Sequence, residues 1–188
     1  MLKVDISLEP NLTYLKAWII SIENAAVKDL SVFFSKWALP IVIEEFARLF
    51  DTNGYGTWKQ LTPRYKTWKD RFYPTKPILR RTDVYYRALT LSMPEGSTLK
   101  SIRRKSGGNL YEVNPDSLLY GIDEAWFASR FGAPYPVFLE KGTPNMASRP
   151  VFAIIVNQNL NNALLAALVD YLKKAITKET TRYFKSSS

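Results

Sequence analysis

The 188-residue sequence contains neither cysteine nor histidine. Disulfides, thiolate nucleophiles, zinc sites built from Cys and His, and imidazole acid–base catalysis are therefore excluded. The lack of cysteine fits a reducing compartment. No run of about 18 apolar residues occurs, so no membrane-spanning helix is expected. The most apolar stretch, 30–50, is interrupted by Lys36, Pro40, Glu44, Glu45 and Arg48. The start, MLKVDISLEP, lacks a basic region followed by an apolar run, so no secretory signal is expected and the chain should be soluble. Phosphate-cradling loops are missing too: Gly54-Tyr55-Gly56 and Gly107-Gly108 have neither the lysine nor the helix such loops need. The adjacent acids Glu44-Glu45 and Asp123-Glu124 have no visible partner for acid–base or two-metal work, and Ser129 has no histidine to activate it. These absences argue against an enzyme, and no cofactor or metal is expected.

What is present is an ordinary globular composition, 46% hydrophobic and 23% charged, long enough to bury a core as one domain spanning residues 1–188. Its charge is uneven. The net charge is +9, and residues 51–108, with 13 basic and 4 acidic side chains, carry the whole excess. Arg80, Arg81, Arg103, Arg104 and Lys105 belong to this stretch, and Trp58, Tyr65, Trp68 and Tyr73 are interleaved with its cations. Residues 58–105 could thus form a soluble basic nucleic-acid-binding module, through phosphate neutralisation and base stacking. The plainer reading is a solvated face or one that meets an acidic partner subunit. It is preferred because no helix-turn-helix, zinc-finger or RRM signature is present.

Periodicity predicts an α+β fold. An alternating segment over 2–8 reads as a strand, followed by a long helix over 14–36 with Leu15, Trp18, Ile19, Ile22, Ala26, Leu30 and Phe33 on one stripe. Pro40 breaks or kinks it, and a second helix over 41–50 turns Ile43, Phe46, Ala47 and Phe50 inward. In the central part, 51–156, short helices are expected over 63–70, 84–91 and 124–131, with strands over 98–106, 109–114, 117–122 and 150–156. The last part, 157–188, is an amphipathic helix over 158–178, with Leu160, Leu164, Leu165, Leu168, Val169, Leu172 and Ile176 on its stripe.

Two segments carry a resemblance. The first is Trp58-Lys59-Gln60-Leu61-Thr62-Pro63, then Tyr65 and Lys69, then Ile78-Leu79-Arg80-Arg81-Thr82-Asp83. The second is Tyr135-Pro136-Val137-Phe138-Leu139-Glu140-Lys141-Gly142-Thr143, followed by Met146-Ala147-Ser148-Arg149-Pro150-Val151-Phe152. Together they resemble the tailed-phage virion-morphogenesis proteins of the neck and tail-completion group, over about half of the chain. Asp83 stands where that family usually has glycine, and Leu139 stands near its usual histidine.

The resemblance implies a non-enzymatic virion protein that forms a homo-oligomeric, commonly sixfold ring at the neck or upper end of the tail. Its role would be to complete the tail and join it to the head. Its partners would be itself, the head connector or head-closure proteins, and tail-terminator, tail-tube or sheath proteins. It implies a curved antiparallel sheet packed by helices, with Gly142 and Thr143 on a loop projecting from that sheet. Trp58 and Trp68 are candidate anchors between subunits, with core burial as the alternative. Arg149, held extended before Pro150, would make a fixed contact with its own subunit or the next, or bond local carbonyls. Arg80, Arg81, Arg103, Arg104 and Lys105 would line a lumen for passing genomic DNA or meet an acidic partner.

Overall fold

The computed structural model describes residues 12–90 and 108–185. The strands expected over 2–8 and 98–106 lie outside these residues, as do Arg103, Arg104 and Lys105. The fold is α+β. Helices α1 (Leu12–Ala26), α2 (Ser31–Phe33), α3 (Leu39–Asp51), α4 (Pro63–Phe72) and α5 (Val84–Thr90) precede strands β1 (Asn109–Val113) and β2 (Leu118–Ile122). Helices α6 (Glu124–Phe131), α7 (Tyr135–Lys141), α8 (Phe152–Ile155) and α9 (Gln158–Lys185) complete the chain. The sheet is a two-stranded antiparallel hairpin among the described residues.

The N-terminal helix departs from the expected course. It stops at Ala26, not at Lys36. Asp29 accepts the Ser31 N–H at 2.8 Å and starts a new helix, while the Leu30 N–H donates to Pro115 O in the hairpin turn at 2.7 Å. Helical structure then passes through Pro40. A π-helical turn, Phe34–Ala38, precedes the proline and bonds the Leu39 N–H to Phe34 O, five residues back. That wider turn accommodates a residue with no N–H to give.

The core gathers on α3. Phe50 is fully buried and meets Trp58, Tyr85 and Tyr86 edge-on, with ring centroids 5.4 to 5.7 Å apart. Tyr85 continues the aromatic packing to Phe127 of α6 and Tyr135 of α7. Strands β1 and β2 pair in the register Tyr111↔Tyr120, and Tyr120 packs on Phe46. At α6 the sequence signals hold: the Asp123 side chain accepts the Trp126 N–H, and Gly132 ends the helix in left-handed backbone.

Two further expectations are corrected. Residues 150–156 are not a strand. The Glu140 carboxylate accepts the N–H groups of Val151 and Phe152, at 2.6 and 2.9 Å, and so satisfies the first donors of a helical turn, α8. Val151 and Ile155, four residues apart, then face the core. The C-terminal helix is longer than expected and is turned differently. Leu160 is buried and Leu164, Leu168 and Leu172 half-buried, whereas Leu165, Val169 and Ile176 are exposed. Its distal half packs on α1, where Trp18 Nε1 donates to Thr180 Oγ1 at 3.3 Å. No helix among the described residues is long and apolar enough to cross a membrane.

A polar knot around the buried Glu45 joins α3 to α9. Glu45 accepts hydrogen bonds from Arg48 at 2.6 Å, from the Tyr55 hydroxyl, and from Asn157 at 3.0 Å. Asn157 in turn caps α9 by accepting the Leu160 N–H. Burial pushes the Glu45 carboxyl up, but these hydrogen bonds outweigh it and hold the group below its ordinary 4.5. The contribution of the ionised group is complete above that value and is lost as pH falls through the lower folded-state value. Glu45→Gln should cost about 1–3 kcal/mol near neutral pH. In thermal melts taken from about pH 7 down to about pH 3, the gap between wild type and variant should close with acid; a gap of constant size would refute the assignment.

Candidate interaction surface

The two segments that resemble the phage family lie some ninety residues apart in sequence and meet in space at one clasp. Trp58 is 3% exposed, and its indole Nε1 donates to Pro150 O at 2.8 Å. Arg149, 6% exposed, donates from Nε to Lys59 O at 2.9 Å, from Nη2 to Gln60 O at 3.2 Å, and from Nη1 to Ala147 O at 3.4 Å. The Arg149 backbone N–H reaches Leu139 O at 2.7 Å. Burial draws the guanidinium pKa down, yet a guanidinium stays charged, and its planar fork suits several carbonyls at once. Both side chains are thus engaged within their own subunit. Neither is available as an anchor to a neighbour, and Arg149 takes the within-subunit option.

Glycines make the clasp fit. Gly54 has φ +70°, and a Cβ there would fall 2.4 Å from the Trp58 indole nitrogen. Gly142, at φ +76°, would place a Cβ 2.9 Å from Ser148 N. The loop after it does not project from a sheet. It joins two short helices, α7 and α8, and folds on itself through paired hydrogen bonds between Thr143 and Met146. Thr143 stays exposed.

Above the clasp stands α4. Pro63 opens it at a position where proline is tolerated, and Thr62 precedes it without a side-chain capping bond. Within this helix only Lys69 is buried. At 2% exposure, the Lys69 ammonium donates to Lys76 O, so the helix is tied to the extended linker after it; burial lowers its pKa. The other side chains face outward, with Tyr65, Trp68 and Phe72 at 39%, 40% and 56% exposure. Tyr65 and Trp68 stack with centroids 5.5 Å apart, and Trp68 contacts Phe72 at the same distance.

The two candidate arginines beside this helix behave differently. Arg80 is held internally, bonded to Asp51 at 2.6 Å and to Asp83 at 3.0 Å, with its guanidinium 3.7 Å from the Tyr86 ring centroid. Arg81 is exposed, lies 5.8 Å over the Trp68 ring, and makes no ion pair among the described residues. Asp83 has φ +57°, the left-handed backbone that glycine adopts most readily. Its carboxylate is held by Arg80 and Lys76, and these bonds keep it below its ordinary pKa against the opposing effect of burial.

Arg81 and Tyr65 edge a groove of about 590 Å³ whose walls include Phe131, Tyr135, Phe138 and Met146. Phe131 and Phe138 are themselves exposed. The quoted motifs contained Tyr135 and Phe138, but nothing in them marked a groove; Phe131 and the capping role of Glu140 carried no sequence signal. No group of three or more potential metal-ligating side chains occurs among the described residues. The arrangement is suited to binding a surface: rigid aromatic area beside an unpaired cation.

The chain matches no protein-family model, no curated protein and no solved structure.

The clasp and the exposed helix should respond oppositely to mutation. Arg149→Ala should lower unfolding stability by about 2–3 kcal/mol, and Arg149→Lys should fail to restore it because the fork is lost. Trp68→Ala should stay within about 0.5 kcal/mol of wild type. Urea unfolding followed by tryptophan fluorescence and circular dichroism distinguishes the two.

Proposed function

We propose that this chain is a non-enzymatic structural protein of a tailed-phage particle. It forms a homo-oligomeric ring, commonly sixfold in the family it resembles, at the neck or the upper end of the tail. There it completes the tail and joins it to the head, in contact with connector or head-closure proteins on one side and tail-terminator, tube or sheath proteins on the other.

The observation that carries this reading is α4, a ten-residue helix with only one buried side chain. Helices this short are marginal in water unless an apolar face is packed. Here the apolar face, Tyr65, Trp68 and Phe72, is presented outward. Exposed aromatic area of this kind is characteristic of surfaces covered in an assembly. Two further observations favour the family resemblance: both motif segments build one unit, the Trp58–Arg149 clasp, and the glycine position of the family falls on left-handed backbone at Asp83.

A second reading, a nucleic-acid-binding module, is favoured by the Tyr65–Trp68 stack flanked by exposed Arg64, Lys66 and Arg71. It requires steeply salt-dependent binding of single-stranded DNA.

The ring reading is tested by mass measurement of the purified chain and by locating the chain in particles. The expected result is a discrete oligomer and a position between head and tail. Trp68→Ala should weaken association by about 1–2 kcal/mol or more while leaving the subunit folded. A chain absent from particles would refute the proposal. Tight binding to a labelled oligonucleotide, lost as salt rises, would favour the second reading.

A further inference from the structure

This inference rests on the ring reading and specifies its contact. The subunit carries a second unpartnered surface, opposite in charge to the groove. In the β1–β2 hairpin, Asn109, Tyr111 and Val113 face the core, so the alternate positions face out. Glu112 and Leu119 are directly opposed across the hairpin and share that outer face. Leu119 is 54% exposed. The hairpin turn adds exposed Asp116, and the Leu30–Pro115 hydrogen bond brings exposed Asp29 to the same end of the molecule. None of these three carboxylates has an ion-pair partner among the described residues.

We infer that the outer face of this hairpin in one copy docks into the α4–α7 groove of the next copy. The acidic residues Glu112 and Asp116 approach Arg81 and the exposed cations of α4, and Leu119 enters the aromatic groove. The argument is complementarity. The groove is apolar with a cation at its edge, and the hairpin face presents Leu119 beside carboxylates; neither charge has an ion-pair partner among the described residues. Neither surface is complementary to itself, since a groove-to-groove contact would oppose cations and a hairpin-to-hairpin contact would oppose carboxylates. The contact is therefore between two different patches, the head-to-tail type, which gives a ring when the rotation from copy to copy closes.

The test uses the full chain. Arg81→Glu, and separately Glu112→Arg with Asp116→Arg, alter two exposed positions and one half-buried position on the outer face of the hairpin, and should leave circular dichroism unchanged. Each variant alone should associate about tenfold more weakly, or worse, than wild type in sedimentation velocity, since like charges then face each other. Mixing the two variants should restore assembly, because each interface of an alternating oligomer then pairs opposite charges. Wild-type oligomers that persist in both variants would overturn the inference and leave the ring reading standing. A wild-type chain that stays monomeric up to about millimolar concentration would also overturn it, as an affinity that weak supports no ring contact by itself; the ring reading is then decided by the chain's position in particles. Variants that each lose assembly but fail to restore it on mixing would overturn the pairing of these two patches.

Discussion

The structure depends on a buried contact between two distant parts of the chain. Trp58 and Arg149 each satisfy backbone carbonyls of the other's segment, Pro150 on one side and Lys59 and Gln60 on the other. A guanidinium buried this far must bond to carbonyls or be unpaired, and leaving buried polar groups unpaired is costly. The contact therefore sets the path of both segments. It fixes where α4 begins, because Thr62 stands two residues beyond the bonded Gln60 carbonyl, and where α8 begins, because Val151 follows Pro150. The Arg149 N–H also bonds Leu139 O, so the same clasp ties α7 beside the start of α4, and the groove lies between them.

Around that clasp the charged residues divide into two groups. Glu45, Arg48, Lys69, Arg80, Asp83 and Glu140 are bonded within the subunit, to caps, carbonyls or each other. They hold loops and helix ends in place. Arg81, Glu112 and Asp116 make no ion pairs among the described residues: Arg81 edges the aromatic groove, Glu112 lies opposite exposed Leu119, and the two carboxylates accept bonds from their neighbours Asn114 and Ser117. A charge count over residues 51–108 treats the two groups alike. The internally bonded charges are spent on holding the fold, whereas Arg81 and the exposed Arg64, Lys66 and Arg71 face outward.

Much of the helical framework was readable from the residues. Pro63 at a helix start, Asp123 and Gly132 at the two ends of α6, and the stripe of α3 all acted locally, within a few residues of where they stand. The misreadings fall where a distant group intervened. The break after Ala26 depends on Pro115, nearly ninety residues on, and the helical turn at Val151 depends on the Glu140 carboxylate. An apolar run as short as 150–156 has no period of its own that separates strand from helix. The exposed Leu165, Val169 and Ile176 reflect the rotation of α9 against α1, which a hydrophobic stripe does not specify.

By itself, the sequence determined the α+β class, the lack of Cys- and His-based chemistry, and the ends of α3, α4, α5 and α6 to within two residues. Those are consequences of residue type and short-range spacing. Tertiary structure alone decided that Trp58 and Arg149 are internal while Trp68 and Arg81 face outward, although each pair looks equivalent in the linear chain. Burial is a property of what packs on a side chain, and here the packing comes from residues far away along the polypeptide.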